Sequence, residues 1–309
     1  MTETDYRKYL VDTPVCEPGQ LEIKNRQPTQ TYISNDQIPG CNYHVSLGWI
    51  YGMPDPATHI YEHVHDYDEI VIHWGGDYRT PQVLGGEVEF YIGGQPVTFN
   101  TTTAIFLPGG TPHGPVTWKK FEFPHIQMAL RIGNGDREDD NDNGMRRERG
   151  EIPKKVKGFD YEQYVVRSPA REVAGGNVNE TGRQTPTMTY MSNTLVNNAN
   201  VYIEFGWIWG IPFGGINEMV HKNFDEVVIH IGGDHTNPED LGADMEFGVG
   251  GVPQKVNKSY GVYIPKGLSH GPLKWNETRK PHIEMAMMIG AGSWSEGWDD
   301  SGIDDSMTK

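Results

Sequence analysis

Asp68-Glu69-Ile70-Val71-Ile72-His73-Trp74-Gly75-Gly76-Asp77 returns later in the chain as Asp225-Glu226-Val227-Val228-Ile229-His230-Ile231-Gly232-Gly233-Asp234. A ten-residue echo at this distance is the mark of an internal duplication, and the neighbouring blocks bear that out. Upstream, Thr31-Tyr32-Ile33-Ser34-Asn35 returns as Thr189-Tyr190-Met191-Ser192-Asn193, and Gly48-Trp49-Ile50-Tyr51-Gly52 as Gly206-Trp207-Ile208-Trp209-Gly210. Downstream, Pro108-x-Gly110-x-x-His113-Gly114-Pro115 matches Pro265-x-Gly267-x-x-His270-Gly271-Pro272, and Pro124-His125-Ile126 matches Pro281-His282-Ile283. The leaders match as well: Asp5-Tyr6-x-x-Tyr9-x-Val11 against Asp160-Tyr161-x-x-Tyr164-x-Val166. The offset is 158 at Gly48/Gly206 and 157 from Glu69/Glu226 onward, so one residue is lost between Pro212 and Asp225.

Within each copy, short segments rich in aromatic and β-branched residues are separated by Gly-Gly, Pro-Gly and Asn-rich turns. In the first copy they are residues 43–51, 69–74, 88–92, 104–107 and 125–132. Spacing of about ten residues, with 38 glycines and 21 prolines in 309 residues, predicts an all-β sandwich or barrel for each copy. The boundaries drawn from sequence are a first unit at 1–133, a polar linker at 134–157 and a second unit at 158–309 with an acidic tail. In the linker, Asp139-x-Asn141-x-Asn143-Gly144 begins like a calcium loop. Its twelfth position is Gly150 where a bidentate Glu is needed, so it reads as solvated linker.

The formal charge of −16 argues against nucleic acid or an anionic membrane as partner. No apolar run approaches the roughly 18 residues of a membrane span. The first ten residues lack a signal-peptide core, and Cys16 and Cys41 lie in no CxxC, so a reduced cytoplasmic setting is expected. The expected partner is a small-molecule substrate; association with further copies of the chain is left open.

The chemistry concentrates in His63-Val64-His65-Asp66-Tyr67-Asp68-Glu69, with His113 following the Pro108–Gly110 turn. Residues two apart on a strand share a face, so His63 and His65 can enter one cavity. Three imidazoles and one carboxylate suit a divalent first-row ion: manganese or iron first, zinc or nickel as alternatives. Four protein ligands on an octahedral ion leave two positions for water or substrate. His73 shares strand parity with Glu69, and His125 and Gln127 share it with one another on the last strand. These three are the candidate acid, base and positioning residues, although His230 and His282 repeat the histidines in the second copy.

His63-x-His65-x-x-x-Glu69 with Gly76, and Pro108-x-Gly110-x-x-His113, resemble the two motifs of the cupin superfamily. The chain as a whole resembles a bicupin over roughly residues 30–133 and 188–290. The resemblance implies two tandem double-stranded β-helix barrels of jelly-roll type, with a metal inside the first on His63, His65, Glu69 and His113. It does not imply a reaction, because cupins span many chemistries.

The second copy reads Glu218-Met219-Val220-His221-Lys222-Asn223-Phe224-Asp225-Glu226, with His270 further on. Aligned at offset 158, His221 takes the place of His63 and no histidine answers His65. The expectation is an empty second site, or a weak one on His221, Glu226 and His270 completed by water or Glu218, with Lys222 opposing a cation.

Function follows as a metal-dependent enzyme acting on a small oxygen-rich substrate, an enolised 1,3-dicarbonyl or a phenol-derived ring. The expected reaction is hydrolytic ring opening or other C–C cleavage through metal Lewis acidity and histidine acid–base chemistry. The rivals are an iron-dependent ring-cleaving dioxygenase of the quercetinase type, oxalate-decarboxylase-like chemistry, and a non-catalytic sensor or storage bicupin.

Overall fold

The computed structural model of the protein describes residues 5–17, 23–136, 155–172, 181–212 and 216–299. The calcium-like run at 139–144, most of the linker and the tail from 300 onward lie outside the described residues.

Each copy folds as two antiparallel sheets facing one core. In the first, the larger sheet runs Val165–Val166, Thr103–Leu107, Asp68–Gly75, His125–Ile132, Tyr43–Asp55, Gln30–Ile33, Val15–Cys16, and Lys24–Arg26 also pairs with Tyr43–Asp55. The smaller sheet runs Thr58–Ile60, His113–Phe121, Val83–Ile92, Gln95–Thr101. The second copy repeats this with Leu10–Val11, Tyr260–Ile264, Asp225–Gly232, His282–Ile289, Val201–Ile208, Met188–Met191, against Met219–Val220, Ser269–Thr278, Asp240–Val249, Val252–Lys258. These are the barrels the turn spacing predicts.

Strand alternation sorts the side chains. Val71, Ile105, Phe90, Val116 and Trp118 fill the first core between the two sheets. On Asp68–Gly75, Glu69, Val71 and His73 therefore face inward, and Trp74, of opposite parity, is fully buried on the other face. Val228, Ala243, Phe247, Tyr260 and Trp275 fill the second core. No helix among the described residues is long and apolar enough to cross a membrane.

The leaders are placed otherwise than the sequence boundaries put them. Leu10 and Val11 pair with Val262 and Gly261, in the sheet of the second copy. Val166 and Val165 pair with Ala104 and Ile105, in the sheet of the first. The compact units are thus Pro14–Ser168, and Met1–Thr13 together with Pro169–Lys309. The reason is chemical equivalence: the two leaders carry the same Asp-Tyr-x-x-Tyr-x-Val pattern and the two receiving strands are themselves copies. Sequence pattern alone cannot distinguish the pairings.

Candidate metal centre

In the first barrel the start of Asp68–Gly75 supplies Glu69, the start of His113–Phe121 supplies His113, and the stretch before Asp68 supplies His63 and His65. His63 is held by reciprocal backbone hydrogen bonds with His113, at 2.9 and 3.0 Å. His65 is tied through its carbonyl, which accepts from the Gly110 amide at 2.7 Å. The residue after His113 must be glycine. Gly114 has φ +87°, and a Cβ there would lie 2.4 Å from the Tyr61 carbonyl oxygen.

One ligand atom from each of His63, His65, Glu69 and His113 lies within 4.8 Å of the others. Glu69 Oε2 is 3.2 Å from His113 Nε2 and 3.4 Å from His65 Nε2. The far side of each ring is pinned. Nδ1 of His63, His65 and His113 donates to the carbonyl oxygens of Tyr61, Tyr67 and Thr111, at 2.9, 2.8 and 2.8 Å. A carbonyl only accepts, so each Nδ1 carries a proton, and the opposite nitrogen, Nε2, is the one each ring turns into the cluster. His113 Nε2 is buried with no hydrogen-bond partner.

Burial, then the neighbouring His113, push His63 down to about 4, so this ring is neutral near pH 7. Burial raises the Glu69 carboxyl, but the His113 and His65 rings reverse this and hold it well below its usual range. Three imidazole nitrogens and a carboxylate converging in a buried pocket are a donor set for a cation. These four residues fit a divalent metal.

The candidate acid–base residues sit elsewhere. His73 lies four residues along its strand from Glu69, roughly 13 Å. It is fully buried against Phe99 and Trp118 with both ring nitrogens unpartnered. Burial, then His125 and Arg26, hold it neutral. His125 is saturated: Nε2 accepts from Trp118 Nε1 at 3.0 Å, and Nδ1 is 3.2 Å from the Phe123 carbonyl. Gln127 pairs with His73 in register and accepts from Arg26 Nη2 at 3.0 Å. The structure gathers the four metal-type ligands and leaves these three further along the barrel. Trp275 and His282 repeat the Trp118–His125 bond at 3.0 Å, which marks it as a framework contact.

Beside the cluster stand residues that carry no motif. Arg131 is opposite Glu69 on the adjacent strand, and His44 is opposite Arg131 on the next. The Arg131 guanidinium lies 5.8 Å from the Tyr67 ring, which itself stacks on His65. His44 Nε2 is 3.5 Å from Glu17 Oε1 and 3.3 Å from Thr31 Oγ1, which in turn donates to Glu17 at 2.7 Å. A row of Glu69, Arg131, His44 and Glu17 crosses the sheet. The signal that could have found it is the difference between copies, since Arg131 becomes Met288 and His44 becomes Tyr202.

In the second barrel His221, Glu226 and His270 gather within the same 4.8 Å. The pairing of His221 with His63 needs correction. Met219, not His221, sits opposite His270, as His63 sits opposite His113. The His221 carbonyl accepts from Gly267 as that of His65 does from Gly110, and His221 stacks on Phe224 as His65 does on Tyr67. His221 therefore stands in for His65, and the missing imidazole is that of His63. Glu218 and Lys222 are both exposed and take no part in this cluster.

No protein-family model and no curated protein matches this chain by sequence. Among solved structures it is similar to AerE from Microcystis aeruginosa, with a TM-score of 0.50 and 11% identity over 91% of this chain and 99% of that one. It is also similar to variants of the Bacillus subtilis oxalate decarboxylase OxdC. One gives a TM-score of 0.51 and 9% identity over 85% of this chain and 73% of that one. Another gives 0.52 and 9% over 86% and 73%. The chain has the bicupin fold.

Proposed function

We propose that the protein is a divalent-metal-dependent bicupin enzyme acting on a small, anionic, oxygen-rich substrate at the first barrel. The substrate class is an enolised 1,3-dicarbonyl or a phenol-derived ring, and the reaction is hydrolytic ring opening or other C–C cleavage. The observation that carries the reading is the convergence of three imidazoles and the Glu69 carboxylate, every ring locked from behind by a backbone carbonyl. Manganese or iron fits this donor set best, with zinc and nickel as alternatives. A bound divalent ion supplies Lewis acidity to a chelated oxygen and acidifies a bound water.

The chain's own residues do the rest. Arg131 offers a buried cation to the developing enolate or carboxylate. His44, beside Glu17 and Thr31, is better placed than His73 or His125 to move a proton at the far end of a bound substrate. Arg131→Gln is expected to raise KM about 10- to 150-fold, the worth of one hydrogen bond to a charged group, while metal content stays unchanged.

Turnover of cyclic 1,3-diketones by the metal-loaded protein under strict anaerobiosis tests the reaction class. The expected result is a rate independent of oxygen. Turnover that stops without oxygen would replace this reading with the ring-cleaving dioxygenase, and metal binding without turnover on any ring substrate would favour a non-catalytic bicupin.

A further inference from the structure

The second barrel differs from the first at three interior positions of its larger sheet. Ser46 is replaced by Glu204, Gln127 by Glu284 and Arg131 by Met288, in a framework otherwise kept. Glu204 lies opposite Ala286, and Glu284 opposite Gly206, so small residues leave space beside both carboxylates. That space is a cavity of about 100 Å³. Glu226 and His270 lie on one side of it, and Glu204, Arg183 and Glu284 also line it. Its remaining wall is largely apolar, with Ile216, Val228, Phe247 and Leu273 among the lining residues.

The polar groups are built in rather than incidental. Arg183 Nη2 is 3.2 Å from Glu284 Oε2, and both side chains are about one-tenth exposed. Glu204 accepts from the Tyr202 hydroxyl at 2.9 Å and from Thr187 at 3.1 Å. Burial raises its carboxyl to about 7, so it can accept or donate a hydrogen bond near neutrality. On the metal side Glu226 Oε2 is 2.8 Å from His270 Nε2 and 3.4 Å from His221 Nε2. All three atoms are buried without a hydrogen-bond partner. Two imidazoles and one carboxylate are a donor set that leaves three positions of an octahedral ion open.

Charge separates the two barrels. Around the first cluster, Glu69 and Glu17 are balanced by Arg26 and Arg131, so a divalent ion leaves an excess of two positive charges and favours an anion. Around the second, Glu226, Glu284, Glu172 and a Glu204 that is only partly ionised face Arg183, so a divalent ion leaves no positive excess. We propose that the second barrel is a separate ligand site, in which an ion on His221, Glu226 and His270 and the groups Glu204 and Arg183–Glu284 together hold a small uncharged hydroxyl compound such as a vicinal diol. Size agrees: benzene fills a cavity of about 150 Å³, so this one takes a molecule of on the order of five heavy atoms. Glu204 accepts a hydrogen bond from one hydroxyl, and the apolar wall covers the carbon skeleton.

The test uses the full chain carrying Glu69→Gln and His113→Ala together, which removes the carboxylate and one imidazole of the first cluster, loaded with cobalt(II). One equivalent of cobalt is expected to remain, and propane-1,2-diol should shift its visible absorption. Glu204→Gln in that background should weaken the diol response at least about fivefold with cobalt content unchanged. His270→Ala, or Glu226→Gln if that variant fails to fold, should remove the cobalt. Lactate should bind more weakly than the diol. Folded Glu69→Gln/His113→Ala protein that holds no cobalt, or a diol response unaltered by Glu204→Gln, overturns the proposal. Neither outcome bears on the first barrel, whose cluster is absent from the protein tested.

Discussion

Glu69→Gln is expected to weaken metal retention at least about 100-fold and to remove turnover with it. The two halves of this result have one cause. Glu69 is the only anion among the four converging groups, and its Oε2 lies 3.2 and 3.4 Å from two imidazole nitrogens. Glutamine removes the charge that binds the cation. Loss of a hydrogen-bonding partner in the shell outside a metal already costs 10- to 100-fold in affinity, so an inner anionic ligand sets a higher floor. Thermal unfolding with and without metal reads the loss of retention. In the wild type, free metal at about a thousandfold over Kd adds about 4 kcal/mol, whereas the variant should show no metal-dependent rise. A variant that binds within a few-fold of wild type would remove Glu69 from the ligand set.

Acid should destabilise the protein steeply between about pH 6.5 and 4, before most carboxylates titrate. Burial lowers His125 and His282 to about 4 and His59 to about 3, and drives His73 and His230 well below the ordinary value. In the unfolded chain these rings protonate near 6.5. Their contribution is therefore complete above that value and is lost as pH falls toward the folded values, at about 1.4 kcal/mol per pH unit per histidine. Glu204 works in the opposite sense, because its raised carboxyl takes up a proton in the folded state first. One carboxyl does not offset five histidines. Urea unfolding of metal-free protein should thus show a loss on the order of 5 kcal/mol between pH 6.5 and 5. Side-chain NMR should find His125 and His282 still neutral at pH 5, each accepting from its tryptophan. Equal urea midpoints at pH 7 and 5 would contradict the account.

The duplication, the all-β barrels and the first ligand quartet were legible because each left a local pattern. Turn residues recur at even spacing, and His63, His65 and Glu69 lie on one short stretch. The leaders were not legible, since two near-identical segments compete for two near-identical strands. The second ligand set was misaligned for a similar reason. Met219 replaced the first histidine, and one extra residue between His221 and Glu226 partly compensates an earlier loss, so a single deletion imitated the true register. Arg131, His44 and Glu17 come from three separate segments and meet only through strand pairing. His73 and His125 had the right parity, but parity fixes a face and not a distance along it.

The central claim is that one ion sits among His63, His65, Glu69 and His113. Anomalous diffraction from crystals of the manganese-loaded protein, recorded at the metal's absorption edge, tests it most directly. The expected result is a peak about 2.0–2.3 Å from Nε2 of all three histidines and from a Glu69 oxygen, the range of first-row metal–ligand bonds. Crystals that carry manganese in bulk analysis but show no peak among these four atoms would contradict it.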